Sequence, residues 1–340
     1  MMYGHGNELA LYEGKIIADF SSNVICEATP LKLIKHLTNE IHRISNYPEP
    51  DACSLQIKLA DHHQLSPNSI LVTNGSTEAF YLLAQLFRNM HSLIFIPSFS
   101  EYEDACKVSN HHISFVENKT ALQNNYKKIK AVWLGNPNNP DGKTTSRETI
   151  EQFCVNNPDT ILIIDEAYAD LCADFESCLP LVEKLQNIVV VRSLTKTFAI
   201  AGLRLGYLVT NDTLAKKIAA LRMPWSVNAL AIEAGKYIID EYATIAPNSN
   251  LILENSFRLQ TLIKKLDFIE VMNSKTNFFI ARLLSGTATE LKSFLIENKG
   301  VLIRDASNFR GLNNSWIRLA VQKTEFNTLL YEGLLEWKKR

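Results

Sequence analysis

The sequence predicts an α/β protein: a large domain with a mostly parallel sheet between helices, a smaller α+β domain, and an N-terminal arm. Three observations carry this. Seven short β-branched runs between residues 70 and 209 are apolar at nearly every position, as strands covered on both faces are. Longer amphipathic stretches fall between them, and strand–helix alternation winds a parallel sheet. After Asn250 the order changes to a mixture of strands and helices. The expected divisions are 1–30 for the arm, 31–245 for the large domain and 246–340 for the small one.

In chain order, residues 1–30 carry Gly4, Gly6 and Gly14 without a clear period, so an irregular arm packing with the small domain is expected. Strands are predicted at 70–72, 93–96, 113–116, 131–134, 161–164, 188–191 and 206–209, with helices at 77–89, 101–108 and 147–155. The later part reads as a helix at 251–266, strands at 268–271 and 278–281, and a helix at 289–298. Strands at 301–303 and 317–321 and a helix at 325–339 complete it.

Composition narrows the function classes. A chain of 340 residues with 46% hydrophobic and 21% charged residues is ordinary for a globular protein. A net charge of −1 gives no electrostatic reason to expect a nucleic-acid or membrane partner. The six cysteines form no C-x-x-C pair and no metal-ligand spacing, so reduced thiols, no metal and a cytoplasmic setting are expected. Residues 1–14 lack the apolar centre of a secretory leader, and runs such as "TILIID" are too short to span a bilayer.

Polar chemistry gathers where the strands end, which is where open parallel sheets bind ligands. "TNGSTEAF" follows the run at 70–72. Gly75, Ser76 and Thr77 there open a helix, so N–H groups and hydroxyls suit an anion, or simply cap the helix. "PSFSEY" brings Tyr102 to the same edge, as a stacking platform or a packing residue. "GNPNNPDG" is a rigid loop in which Asn139 offers an amide, although a plain turn explains it nearly as well. "DEAYADL" puts Asp165 at the end of an apolar strand, where a carboxylate needs a cation or donor, with Tyr168 three residues on; a helix cap is the plainer reading.

"RSLTKTFAIAGLRLGY" then supplies Ser193, Thr195, Lys196 and Arg204. An amine near an anion site, with an acid, an amide, a phenol and an aromatic, suits pyridoxal 5′-phosphate. Its aldehyde condenses with a lysine, its pyridinium needs a carboxylate, and its phosphate needs helix-start N–H groups and an arginine.

These motifs are similar to those of fold-type-I pyridoxal-phosphate enzymes of the aminotransferase class I/II superfamily, nearly end to end. "NPNNPDG", "DEAY" and "SLTKTFAIAGLRLGY" carry the general likeness. "GHGN", "DFSSNV", "YPEPD", "RMPWSVNALA" and "VLIRDASNFRGL" resemble histidinol-phosphate aminotransferases and, more nearly, L-threonine-O-3-phosphate decarboxylases of cobalamin biosynthesis. The resemblance implies the aspartate aminotransferase-like fold and a homodimer. It implies that Lys196 carries the cofactor and shuttles a proton, Asp165 pairs with the pyridinium, Asn139 and Tyr168 bond its O3′, and Tyr102 stacks on its ring. Gly75, Ser76, Thr77, Ser193 and Arg204, with Tyr47 from a second subunit, would hold its phosphate. Arg318 would bind a substrate carboxylate, and His5, Asn7, Asn23 and Arg304 a substrate phosphate. The expected substrate is a small phosphorylated amino acid. The single glycine after His5 and the missing Asn-Pro after "DFSS" depart from the subgroup pattern. A purely ligand-binding protein of this fold would not need Lys196.

Overall fold

The computed structural model describes residues 8–12, 14–26, 29–117 and 119–338. The chain enters through β1 (Ala18–Asp19), α1 (Leu31–Asn39) and α2 (Cys53–His63), then runs β2 (Ile70–Asn74) straight into α3 (Gly75–Leu86). Next come β3 (His91–Phe95), α4 (Ser100–Val108), β4 (His112–Val116), β5 (Ala131–Gly135), α5 (Arg147–Asn156) and β6 (Ile161–Asp165). β7 (Ile188–Ser193) and β8 (Leu205–Thr210) complete a seven-stranded sheet of order β2-β8-β7-β6-β5-β3-β4.

All seven predicted runs are strands of this one sheet. β4, β3, β5, β6 and β7 are parallel, and β8 lies antiparallel between β7 and β2. Alternate residues feed two different cores. Val132, Leu134, Ile188 and Val190 pack on one face with α2, α5 and α7, the helix Ala229–Asp240. Trp133, Val189 and Val191 pack on the other with α3, α4 and α6, the helix Asp212–Ala219. Each fully buried Val or Ile contributes roughly 1.5–3 kcal/mol, which is why these runs tolerate no polar alternation. One strand differs from its reading. β4 is the edge strand and its residues alternate between half-buried and exposed, because nothing pairs beyond it. Helices α1, α2, α6 and α7 lie in segments read without helices.

The remaining chain forms α8 (Tyr242–Ile245), α9 (Ser249–Ile263), β9 (Ile269–Val271), β10 (Phe278–Leu283), α10 (Ala288–Lys299), β11 (Val301–Leu302), β12 (Arg304–Asp305), β13 (Trp316–Ala320) and α11 (Thr324–Trp337). β9, β10, β13 and β12 make an antiparallel sheet covered by α9, α10 and α11. A capping box between Thr287 and Glu290 starts α10, and left-handed Gly300 ends it. The N-terminal segment joins this unit. β1 pairs parallel with β11, and Phe20 and Ile25 enter its core.

Among the described residues no helix is long and apolar enough to cross a membrane. No disulfide joins any of the six cysteines among the described residues.

Candidate active site

The ends of β2, β6 and β7 meet at one edge of the large sheet. β8 runs the other way, so it is its first residues that reach this edge, and Arg204 precedes its strand whereas Asp165 and Ser193 end theirs and Gly75 follows β2. Gly75 opens α3 at φ +70°, and a Cβ there would lie 2.5 Å from Arg204 Nη2. The missing side chain thus seats the guanidinium against a helix start whose first N–H groups have no helical partner. Arg204 is itself left-handed at φ +57° and donates from Nη1 to Ala201 O at 3.1 Å. Gly206 lets β8 close on the same turn, since its Cβ would lie 2.6 Å from Ser76 N. Ser193 lies in register beside Gly206, with its Oγ 2.8 Å from Thr195 Oγ1. Ser76, Thr77, Ser193 and Arg204 therefore lie about one turn whose helix-start N–H groups suit an anion.

Asp165 ends β6 in register with Gly135 and Val191, and is buried. Its Oδ2 accepts from Tyr102 Oη at 2.6 Å and its Oδ1 from Ala167 N at 3.0 Å. Burial pushes the carboxyl up to about 6, against those donors and the nearby charge of Lys196. The Tyr102 ring packs against Trp133 and Phe80, and its hydroxyl bonds the acid. Burial pulls the Lys196 amine down to about 8, helped by Arg318 and Arg204 and opposed by Asp165. A lysine so placed has a far larger neutral, nucleophilic fraction near pH 7 than a free one.

Arg318 enters from β13. Its Nη1 donates to Asn139 Oδ1 at 2.7 Å and its Nη2 to Ser21 O at 2.6 Å, while Nε has no partner among the described residues. Arg304 stands directly opposite it on β12, also buried, with Nη2 donating to Asn308 Oδ1 at 2.8 Å and Glu8 at 3.7 Å from Nη1. Asn139, Arg304 and Arg318 line a cavity of about 390 Å³, walled by α4 and by residues 307–312. Asn23 donates from Nδ2 to Tyr168 Oη at 3.3 Å, and the Tyr168 ring meets Phe278 edge-on.

The expected residues thus fall into a turn around Gly75, an acid–amine centre, and an arginine-lined cavity. Two are elsewhere. Tyr47 is 87% exposed on the surface, 5.4 Å from the Trp225 ring. His5 and Asn7 lie outside the described residues. Ser21, Asn308 and the Ile25 N–H, which donates to Lys196 O at 3.3 Å, were not foreseen. Asn308 lies within the quoted "VLIRDASNFRGL", so its motif was a signal, whereas a backbone carbonyl leaves no trace in a sequence.

A model of the class I and II aminotransferase family matches residues 15–330. The crystal structure of L-threonine-O-3-phosphate decarboxylase from Porphyromonas gingivalis is 40% identical, with a TM-score of 0.92 over 95% of this chain and 100% of that one. The threonine-phosphate decarboxylase of Salmonella typhimurium is 28% identical, covering 94% of this chain and 90% of that protein. The histidinol-phosphate aminotransferase of Thermoanaerobacter pseudethanolicus is 29% identical, covering 90% and 89%. The chain belongs to the class I and II aminotransferase family and has its fold, and its cofactor is pyridoxal 5′-phosphate. The residues present fit that group: an anion turn that a Cβ would fill, a lysine of lowered basicity, and a buried acid.

Proposed function

We propose that this member of the family decarboxylates L-threonine O-3-phosphate to (R)-1-amino-2-propanol O-2-phosphate. The observation that carries the reading is the pair of buried guanidiniums, Arg304 and Arg318, facing one another across β12 and β13 on one cavity. Glu8 lies near Arg304 and no carboxylate among the described residues is paired with Arg318, so the two guanidiniums suit a ligand with two anionic groups, and a phosphorylated amino acid brings a carboxylate and a phosphate. The likeness to two threonine-phosphate decarboxylases supports this substrate.

When bound, pyridoxal phosphate supplies an electron sink for the charge left on the substrate Cα. Lys196 carries the cofactor and afterwards returns a proton to that carbon. Asp165 holds the proton on the pyridine nitrogen, while Asn139, through the amide nitrogen that Arg318 does not use, and Tyr168 bond the ring oxygen. Tyr102 stacks on the ring. Gly75, Ser76, Thr77, Ser193 and Arg204, with Tyr47 of the partner subunit, hold the cofactor phosphate. Arg318 takes the substrate carboxylate through its unpartnered Nε edge, and Arg304 takes the substrate phosphate with Asn23, His5 and Asn7. The carboxylate clamp decides which bond at Cα is aligned with the electron sink, and so decides between loss of carbon dioxide and loss of a proton. The same reading carries a homodimer, a cytoplasmic setting, and the division into arm, large and small domains at residues 30 and 245.

The aminotransferase likeness favours a second reading, amino-group exchange between histidinol phosphate and 2-oxoglutarate. Two incubations separate them: the protein with L-threonine O-3-phosphate, and the protein with histidinol phosphate and 2-oxoglutarate, products identified by mass spectrometry. Aminopropanol phosphate in the first supports the decarboxylase. Glutamate in the second, with the first blank, transfers the assignment to the aminotransferase.

A further inference from the structure

We propose that Arg192 is a positioning residue whose guanidinium ties the segment bearing Asp165 and Tyr168 to the segment bearing Lys196, and so fixes the amine against the acid. After β6 the side chains divide. Asp165 and Tyr168 belong to the site, and Glu166 and Asp170 turn to its back. Ser193 at the end of β7 belongs to the anion turn, and Arg192, one residue earlier, emerges on the other face.

There Arg192 Nη1 donates to Glu166 Oε2 at 3.0 Å and Nη2 to Asp170 Oδ1 at 2.6 Å. Glu166 is wholly buried and anchored by Ser177 Oγ at 2.6 Å and Cys178 N at 2.7 Å. Asp170 passes the link on: its Oδ2 accepts from Thr197 Oγ1, the residue after Lys196, at 3.3 Å, and its carbonyl accepts from Ser249 Oγ at 2.9 Å. The bonds Glu166–Arg192–Asp170–Thr197 thus close a bracket behind the two segments.

Only a planar fork spans two carboxylates in this way, and an ammonium meets one of them at a time. A displacement of about 1 Å in such a frame costs up to 100-fold in rate. The inference rests on Lys196 carrying the cofactor, and is independent of which reaction follows.

The test compares holoenzymes of Arg192→Lys, which keeps the charge, and Asp170→Asn, which keeps an acceptor for Thr197 on a half-buried residue. The readouts are kcat and KM for the wild-type reaction, and the pH midpoint of the cofactor's visible absorbance. Tyr207, His63, His62 and Tyr242 also face Arg192 or Asp170, and Arg318, Arg204 and Asp165 face Lys196. All are retained in both variants, and Arg192→Lys also keeps the charge, so a midpoint that moves in Arg192→Lys reports the bracket. Both variants are expected to lose kcat about tenfold or more, to hold KM within about twofold, and to move the midpoint by about half a unit or more.

A folded variant with kcat and midpoint at wild-type values overturns the proposal and reduces the network to a brace. If Arg192→Lys fails to fold, Asp170→Asn decides alone. A visible band that persists unchanged in Lys196→Ala contradicts instead the assignment of Lys196, a different failure.

Discussion

Lys196 carries a penalty of location that experiment can read. Its amine binds a proton less tightly in the fold, at about 8, than a free lysine does at 10.5. Stability of the cofactor-free protein is therefore full above pH 10.5 and is lost as pH falls through the window from 10.5 to about 8. Lys196→Met should raise cofactor-free stability at pH 7 by about 1–3 kcal/mol in urea titrations, with the gain gone above pH 10.5, while abolishing turnover. Gly75→Ala tests the anion turn. The new methyl meets the mobile end of Arg204, which can move aside, at a backbone angle that suits glycine. Stability should fall by about 1 kcal/mol, whereas the Kd for pyridoxal phosphate, measured by fluorescence titration, should rise about tenfold or more. Asp165, Lys196 and Arg204 were legible in the sequence because each stands in or at the end of an apolar stretch, where a polar group needs a reason, and Asn139 because a rigid proline-rich loop follows a strand there. The Tyr102 hydroxyl on Asp165 and the Ser21 carbonyl on Arg318 were not, because they depend on approach between distant segments.

At the scale of elements, legibility followed burial. Runs buried on both faces announced their strands, and β4 alone was over-read, being apolar enough to pass for an interior strand. Helix α7, in a segment read without a helix, carries Gly235 in its middle, where glycine usually argues against a helix. The structure gives the reason for that glycine: its Cβ would lie 2.5 Å from Leu55 Cδ2, so α7 packs on α2 at backbone range. Gly206 has a harder neighbour. A methyl there meets the backbone of Ser76 and Gly75 at 2.6 and 2.8 Å, and backbone cannot swing aside. Gly206→Ala should cost about 1–3 kcal/mol by chemical denaturation, with weakened cofactor binding. The cavity wall is tied differently. Arg310 donates to both oxygens of Glu103 on α4, at 2.8 and 2.6 Å, and stacks over the Phe115 ring. Arg310→Ala should raise KM about fivefold or more with a smaller change in kcat, as steady-state kinetics would show.

Taken whole, the molecule presents an apolar face around Ile41, Ile44, Tyr47, Met223 and Trp225, all exposed. A homodimer that covers this face would bring Tyr47 to a neighbouring site. Mixed dimers of inactive Tyr47→Ala and Lys196→Ala chains should then recover activity that neither has alone; a mixture as inactive as its parents contradicts the shared site. The fold and the cofactor chemistry were readable from motifs at strand ends. The choice of reaction was not, since it turns on how Arg318 orients one bond of the bound substrate. Decarboxylation is read directly as release of labelled carbon dioxide from carboxyl-labelled L-threonine O-3-phosphate by the pyridoxal-phosphate-loaded protein. Label release should be matched one for one by aminopropanol phosphate, and lost in Lys196→Ala. Retention of the label on substrate, while histidinol phosphate and 2-oxoglutarate yield glutamate, would contradict it.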